Sequence, residues 1–248
     1  MDLFDLGGAK ALVTGAGSPQ GLGQAMARAL REHGAEVVGV SRSARIRETA
    51  KVCGFHPVQA DLGDRNELHR AFDDALSHLG TLDILIAAHG VTRVLPAATF
   101  PLEEWDRMLE VNLTSVFLLC QRAAAVMIPR GRGKIITMAS MNTFFGSTLI
   151  PSYTASKGGI GQLTKALANE WAANGINVNA IAPGYMDTEM TAGLKTNTAR
   201  RDAIFARIPA GRFGVADDLK GVAVFLASPA SDYVNGAIIP VDGGFLGR

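Results

Sequence analysis

Disulfide bonds, membrane spans and a strong net charge are not features of this sequence. Cys53 and Cys120 are its only cysteines, so they cannot form a disulfide framework, and they fit a reducing compartment. No run of residues reaches the ~18 consecutive apolar positions of a membrane-crossing helix. The formal net charge of +1 argues against a nucleic-acid surface or an anionic membrane as a partner.

Signals for export and for metal binding are missing too. The run MDLFDLGGAK has no basic segment followed by an apolar stretch, so we expect no signal peptide. The five histidines show neither HExxH nor CxxC-type spacing, so we expect no protein-bound metal. We therefore expect a cytoplasmic protein.

Short apolar strands alternate with helical periodicity along the chain, of which 48% is hydrophobic. This alternation is typical of a parallel sheet covered by helices on both faces. Because no linker or composition break divides it, residues 1–248 are predicted to form a single doubly wound, Rossmann-type α/β domain with about seven strands. The predicted strands are 10–14, 36–40, 56–60, 82–88, 134–138, 176–181 and 237–241. The predicted helices are 21–33, 43–53, 64–78, 102–111, 113–129, 153–173, 198–207 and 216–227.

Three polar residues suggest acid–base chemistry. Tyr153 and Lys157 lie one turn apart on a predicted helix face, and Ser140 follows the strand at 134–138. A tyrosine normally titrates near pH ~10, but an ammonium at roughly 4 Å would favour the phenolate by about 4 kcal/mol at an effective dielectric of ~20. We therefore expect Lys157 to lower the pKa of Tyr153, by up to ~3 units before desolvation is subtracted. Taken alone, such a pair also occurs by chance at helical spacing.

A glycine-rich loop, residues 14–23, joins the first strand to the first helix. Glycines let the backbone approach a pyrophosphate, and the helix N-terminus offers free amides and a positive dipole. The candidate contacts there are Gly15, Ser18, Gly21 and Leu22. Asp61 ends the third strand. Two roles for it are equal alternatives, binding the adenine end of a dinucleotide and capping a helix.

Together these pieces resemble the short-chain dehydrogenase/reductase family over nearly the whole chain. The matching features are the glycine loop, Asp61, Asn112, Ser140, Tyr153-x-x-x-Lys157, Pro183-Gly184 and the closing Val241-Asp242-Gly243-Gly244. Within the family, the segments PSYTASK, NEWAANGINVNAIAPGYM, RIPAGRFG and FLASPASDYVNG are similar to the 2-deoxy-D-gluconate 3-dehydrogenase and gluconate 5-dehydrogenase group.

The resemblance implies a role for each matching residue. Tyr153 would be the acid/base, Ser140 would bind the substrate oxygen, and Lys157 would lower the tyrosine pKa and bind the nicotinamide ribose. Asn112 would hold a water that links Lys157 to solvent. Further implied cofactor contacts are Leu62, Gly90, Pro183, Gly184, Met186 and Thr188, besides Tyr153 and Lys157, and Asn142 is an implied substrate contact.

The chain departs from the family pattern in two places. The glycine loop carries two extra residues between Gly15 and Gly21, which leaves open which amides meet the phosphates. Where the family usually has Asn-Asn-Ala-Gly, this chain has Ala87-Ala88-His89-Gly90. His89 is then either a contact to cofactor or substrate, or a hydrogen-bonded structural residue.

Two arginines follow strand ends. Ser41 stands where a carboxylate would favour NAD(H), and Arg42 beside it suits a 2′-phosphate, so we expect NADP(H), with NAD(H) as the alternative. Arg93 follows the fourth strand, where it could bind a substrate carboxylate; a solvated arginine or an intersubunit ion pair is the alternative.

The expected activity is interconversion of a secondary alcohol and a ketone, on a sugar acid or keto-sugar acid. A 3-oxoacyl-carrier-protein reductase or a general ketone reductase would share the same catalytic residues. A silent dinucleotide-binding protein is disfavoured because Tyr153 and Lys157 are both present. The family resemblance also implies a homotetramer.

Overall fold

A seven-stranded, all-parallel sheet organises the computed structural model, which describes residues 3–189 and 198–247. The strand order is β3-β2-β1-β4-β5-β6-β7. Strands β2 and β3 lie on one side of β1 and the later strands on the other, so the switch point of the sheet lies between β1 and β4. The strands are β1 Lys10–Thr14, β2 Glu36–Ser41, β3 His56–Gln59, β4 Ile84–Ala87, β5 Gly133–Met138, β6 Ile176–Pro183 and β7 Ile238–Val241. The doubly wound α/β fold predicted from the sequence is confirmed.

Helices connect successive strands over most of the sheet, and each predicted helix has a counterpart. The helices are α1 Leu22–Glu32, α2 Ile46–Cys53, α3 Arg65–Leu79, α4 Leu102–Leu109, α5 Ser115–Met127, α6 Pro151–Trp171, α7 Thr198–Phe205 and α8 Lys220–Ala227. Helix α3 begins where predicted because the Asp64 carboxylate accepts hydrogen bonds from Asn66 N and Glu67 N, which satisfies two free amides. Helix α6 begins with Pro151, whose missing N–H costs nothing at that position.

Two hydrophobic layers cover the sheet. On one face, α3, α5 and α6 bury residues such as Phe72, Leu119 and Ile160. On the other, α1, α2 and α8 bury Met26, Ile46 and Val224. This arrangement requires strands that are apolar throughout. Successive side chains of a strand point to opposite faces of the sheet, and both faces are covered by a hydrophobic layer.

The helical run Leu102–Arg130 is long and apolar enough to cross a membrane by length and composition, and 44% of its most apolar window is buried inside the protein. The run contains α4, a π-helical turn at Glu110–Thr114, and α5. Its residues Val116, Leu119 and Ala123 belong to the core that covers the sheet. We therefore interpret it as a core helix.

Candidate active site

The carboxyl ends of β1 and β4 bring the glycine loop against the segment after β4. Gly15 has a φ of +72°, and a Cβ there would lie 2.8 Å from Ala88 O. A Cβ on Gly23 would lie 2.6 Å from Gly15 O. Side chains at these two positions would push the loop away from the sheet, so both glycines are required for the close approach.

The two extra loop residues are accommodated in an outward turn. Gly21 N donates to Ser18 O at 2.9 Å, while Pro19 and Gln20 are exposed. Helix α1 begins directly afterwards with Gly21 as its N-cap and no capping side chain. The first amides of α1 thus have no side-chain acceptor, which is the arrangement that suits a pyrophosphate. Leu22 is half-buried at this start.

The ends of β2 and β3 form a polar rim beside the loop. Arg42 Nη1 lies 3.6 Å from Asp61 Oδ2, and both side chains are largely exposed. Asp61 Oδ1 also accepts from Gly63 N at 3.0 Å. Ser41 lies so close to Gly17 that a Cβ on that glycine would collide with the serine hydroxyl. Leu62 is buried in the core.

Ser140 begins a single helical turn immediately after β5. Its Oγ accepts from Asn142 N at 3.2 Å, and Ser140 N donates to Thr143 Oγ1 at 3.3 Å. Thr143 Oγ1 in turn donates to Lys157 O at 2.8 Å. Asn142 is half-buried in the same turn, and its Oδ1 accepts a hydrogen bond from Ser147. Thr143 was not predicted, although the Ser-x-x-Thr spacing of a capping box could have revealed it.

Tyr153 and Lys157 lie on one face of α6, as predicted. Lys157 Nζ is 5.6 Å from the centre of the Tyr153 ring and donates to Met138 O at 2.6 Å. Burial lowers the pKa of Lys157 to about 8. Its ammonium is therefore mostly protonated at neutral pH and has two further N–H groups to offer.

The predicted lowering of the Tyr153 pKa is wrong for this structure. Burial raises the pKa of the Tyr153 phenol, and the side-chain hydrogen bond with Ser140 only partly opposes that effect. The sequence estimate assumed Lys157 beside the phenol oxygen, whereas Lys157 Nζ lies over the ring and is hydrogen-bonded to Met138 O. Tyr153 is consequently a protonated phenol at neutral pH, which is the form that donates a proton.

Asn112 lies fully buried in the π-helical turn. Its amide accepts from Val91 N at 2.8 Å and donates to Val91 O at 2.8 Å, with a longer bond to Ser156 Oγ at 3.3 Å. Asn112 thereby clamps the segment after β4, and a Cβ on Gly90 would lie 3.2 Å from its Oδ1 and 3.9 Å from Lys157 Nζ. The proposed water beside Asn112 stays a prediction.

Sequence reasoning left the role of His89 open, and the structure shows a hydrogen-bonded residue. His89 Nδ1 lies 2.7 Å from Thr14 Oγ1, and Nε2 lies 2.7 Å from Ser115 Oγ. Burial and the nearby Lys157 ammonium lower the pKa of His89 to about 4, so the imidazole is neutral at physiological pH. Neither Thr14 nor Ser115 was predicted as a partner, because both are distant in sequence.

The remaining predicted residues lie on the segments that follow β4 and β6. Pro183 ends β6, and Gly184 N donates to Val241 O at 2.9 Å. Met186 is buried in the core, whereas Thr188 is half-buried. Arg93 is exposed, in a loop whose Leu95 N donates to Leu149 O at 2.8 Å.

Comparison with known proteins gives matches over the full chain. A family model described as enoyl-(acyl carrier protein) reductase matches residues 15–246. The 2-dehydro-3-deoxy-D-gluconate 5-dehydrogenase of Pseudoalteromonas atlantica is 45% identical, with 100% of both chains covered.

Solved structures agree with these matches. A protein of Agrobacterium tumefaciens, described as a 2-deoxy-D-gluconate 3-dehydrogenase and solved with bound NADP, is 45% identical with a TM-score of 0.91 and 100% of both chains covered. A gluconate 5-dehydrogenase of Burkholderia cenocepacia, in complex with NADP and tartrate, is 38% identical with a TM-score of 0.92, covering 100% of this chain and 98% of that one. The family match, the parallel sheet and the Ser140–Tyr153–Lys157 cluster together show that this chain belongs to the short-chain dehydrogenase/reductase family.

Proposed function

We propose that the protein is an NADP(H)-dependent oxidoreductase that interconverts a secondary alcohol and a ketone on a sugar acid of the gluconate type. The observation that carries the proposal is the hydrogen-bonded pair Ser140–Tyr153 with Lys157 Nζ over the phenol ring. The names of the similar proteins support the substrate class, since they include 2-dehydro-3-deoxy-D-gluconate and gluconate dehydrogenases.

The residues at the carboxyl edge fit a bound dinucleotide. The first amides of α1 lack side-chain acceptors and suit the pyrophosphate, while Arg42 offers charge for a 2′-phosphate. Lys157 has two N–H groups left to bind the ribose hydroxyls. When bound, the nicotinamide supplies or accepts the hydride. Two similar structures contain NADP, which supports the same choice here.

The protein's own residues handle the proton. In the direction of ketone reduction, Ser140 Oγ and the Tyr153 hydroxyl both donate to the carbonyl oxygen, where negative charge develops. Tyr153 then transfers its proton to that oxygen, and Lys157 stabilises the phenolate that remains. In the reverse direction the phenolate accepts the alcohol proton.

A panel of substrates tests the proposal. Gluconate, its 5-keto and 2-dehydro-3-deoxy relatives, neutral ketones and 3-oxoacyl thioesters are each incubated with NADP(H) and with NAD(H), and absorbance of the reduced nicotinamide is followed. We expect the highest kcat/KM on a sugar acid with NADP(H). Preference for the acyl thioester would instead support the carrier-protein reductase, and no turnover of any alcohol or ketone would contradict an enzyme of this class.

Replacement of Arg42 by alanine is expected to weaken NADPH binding at least tenfold, about 1.4 kcal/mol, and to leave NADH binding nearly unchanged. The guanidinium lies at the end of β2, and its position is supported by Asp61 at 3.6 Å. Fluorescence titration with both cofactors measures the change. The matched control is Arg47→Ala, an exposed arginine on α2, and an unchanged cofactor preference in Arg42→Ala would reject the assignment.

We propose that Arg93 binds a substrate carboxylate, and the support for this is a loop after β4 that is held at both ends. Asn112 clamps Val91 on one side, and Leu95 N binds Leu149 O on the other. Leu149 has a φ of +68°, a costly conformation for this residue type that often marks ligand-binding segments. Arg93 lies midway along this loop and is exposed.

Arg93→Ala should therefore raise KM for acidic substrates at least tenfold, a loss of about 1.4 kcal/mol, while KM for a neutral ketone changes little. Arg93→Lys keeps the charge without the bidentate fork, so its KM for acidic substrates should lie between the values of the wild type and of Arg93→Ala. Steady-state kinetics on one acidic and one neutral substrate decide the matter. Equal losses on both substrates would show that Arg93 has a structural role.

The assembly is proposed to be a cytoplasmic homotetramer, by analogy with the family. Exposed apolar side chains, among them Phe117 at 38% and Leu102 at 67%, supply surface that subunit contacts would cover. Light scattering at micromolar concentration should give four times the mass of the 26.1 kDa chain. A monomer would contradict this proposal.

A further inference from the structure

We propose that His89 is a positioning residue for hydride transfer, which connects the end of β1 to the π-helical turn that carries Asn112. This inference rests on the proposed function. The imidazole contacts Thr14 at the start of the glycine loop and Ser115 at the end of the π turn. It thus bridges two walls of the cleft that the carboxyl ends of β1 and β4 form.

The distances around Thr14 favour one direction for its hydrogen bond with His89. Thr14 Oγ1 accepts from Ala88 N at 3.0 Å and from His89 N at 3.3 Å, which uses both acceptor positions of the hydroxyl. Its own hydrogen must therefore go to an acceptor. His89 Nδ1 at 2.7 Å is much nearer than Ile86 O at 3.5 Å, so Nδ1 accepts and carries no proton.

The other side of the ring leads to the same tautomer. Ser115 Oγ donates its hydrogen to Val111 O at 2.7 Å, so the serine oxygen is left as an acceptor. His89 Nε2 lies 2.7 Å from that oxygen and must donate its N–H. The result is a directed chain from Thr14 through neutral His89 to Ser115 and on to the Val111 carbonyl in the π turn.

A protonated His89 would break this chain. An imidazolium would carry a hydrogen on Nδ1, facing a Thr14 oxygen that has no acceptor position left. The charged groups that act on the ring are the Lys157 ammonium, which disfavours protonation, and the Asp61 carboxylate, which favours it to a smaller extent. The low pKa of His89, about 4, agrees with a neutral imidazole in these hydrogen bonds. His89 therefore holds the chain intact across the physiological pH range.

The chain matters for the reaction because of what the π turn holds. Asn112 lies in that turn and clamps Val91, next to Gly90 and the buried Lys157 amine. Thr14 meanwhile leads into Gly15, whose backbone packs against Ala88. Removing the imidazole would let the two walls shift relative to each other. Small displacements of this kind cost more in the rate of hydride transfer than in ground-state binding.

Two amide variants test the two hydrogen bonds of the His89 imidazole separately. His89→Asn keeps an acceptor near the Nδ1 position but cannot reach Ser115, and His89→Gln offers a donor near the Nε2 position but loses the Thr14 contact. His89→Ala removes both. We expect kcat at saturating substrate and NADPH to fall at least tenfold in His89→Ala and less in the two amides. KM for the substrate should stay within about threefold of the wild type.

Ser115→Ala supplies the second arm of a double-mutant cycle. It should lower kcat in the wild type and in His89→Gln, and should add nothing in His89→Asn, where the bond to Ser115 is already missing. The deuterium isotope effect on kcat with 4-deuterated NADPH should rise in the slow variants, because hydride transfer becomes more rate-limiting. A control, His33→Gln, changes a histidine at the end of α1 and should leave all values unchanged.

Histidine nitrogen NMR of the cofactor-free protein tests the chain without any turnover. One of the five histidines, assigned by its loss in His89→Gln, should show the neutral Nε2–H tautomer with no titration between about pH 5.5 and 8.5. An Nδ1–H tautomer or an imidazolium in that range would overturn the hydrogen-bond assignment. This measurement stands even if no sugar acid is turned over.

If His89 had only a packing role, its replacement would change the unfolding temperature and not kcat. If His89→Ala lowers the unfolding temperature but keeps kcat within twofold of the wild type, His89 does not position the reacting groups and the proposal fails. If His89→Ala does not fold, the amide variants and Ser115→Ala decide, because each amide removes one of the two His89 hydrogen bonds and Ser115→Ala removes the Ser115 bonds to His89 and to Val111 O. A kcat equal to that of the wild type in all three variants would likewise overturn the proposal.

Discussion

Replacing Tyr153 by phenylalanine should lower kcat at least ~100-fold, the usual contribution of a general acid, with little change in NADPH affinity. The substitution removes the hydroxyl, hydrogen-bonded to Ser140, that we propose exchanges a proton with the substrate oxygen. The ring next to Lys157 Nζ remains in place, so we expect the proposed cofactor contact of Lys157 to be preserved. Steady-state kinetics and fluorescence titration with NADPH measure the two effects separately.

Tyr233→Phe is the matched control for this variant. Tyr233 is fully exposed, so loss of its hydroxyl should change neither kcat nor cofactor affinity. Retention of most of the activity in Tyr153→Phe would show that the proton comes from another group. A large loss of NADPH affinity in Tyr153→Phe would mean that the hydroxyl acts on cofactor binding.

Lys157→Met should reduce both kcat, by at least ~100-fold, and NADPH affinity, by at least ~10-fold. The methionine fills a similar volume but removes the buried ammonium and its bond to Met138 O. Without that charge, the phenolate left after proton transfer is no longer stabilised. The donor that we propose for the ribose hydroxyls is lost at the same time, so we expect this one substitution to reduce both cofactor binding and turnover.

The control for this variant is Lys165→Met, on an exposed position of the same helix. It should match the wild type in kcat and in NADPH affinity. If Lys157→Met lost activity but bound NADPH normally, Lys157 would act only through Tyr153. Unchanged kcat would contradict its role in catalysis altogether.

Local pattern determined the elements of the fold. The strands β1, β2 and β5 were predicted to within one residue at each end, because buried parallel strands are apolar throughout and end at glycine or polar residues. Helix α3, Arg65–Leu79, lies within one residue of the predicted range 64–78 at each end, and Asp64 caps it. Helical spacing also placed Tyr153 and Lys157 on one face.

Contacts between distant parts of the chain could not be predicted from the sequence pattern. The strand order β3-β2-β1-β4-β5-β6-β7 depends on which strands pair across the sheet, and local periodicity carries no information about that pairing. The same holds for Arg42–Asp61 and for the clamp of Asn112 on Val91. Each joins segments that only the folded sheet brings together.

The sequence by itself determined the fold class, because strand and helix periodicity are local. Its resemblance to a known family indicated the family and the candidate catalytic residues. Only the tertiary structure decided their electrostatics. The direction of the Tyr153 pKa shift depends on how much protein surrounds the phenol and on where Lys157 Nζ points, and no spacing encodes either. His89 required the structure for the same reason, since its partners Thr14 and Ser115 lie 75 and 26 residues away in the chain.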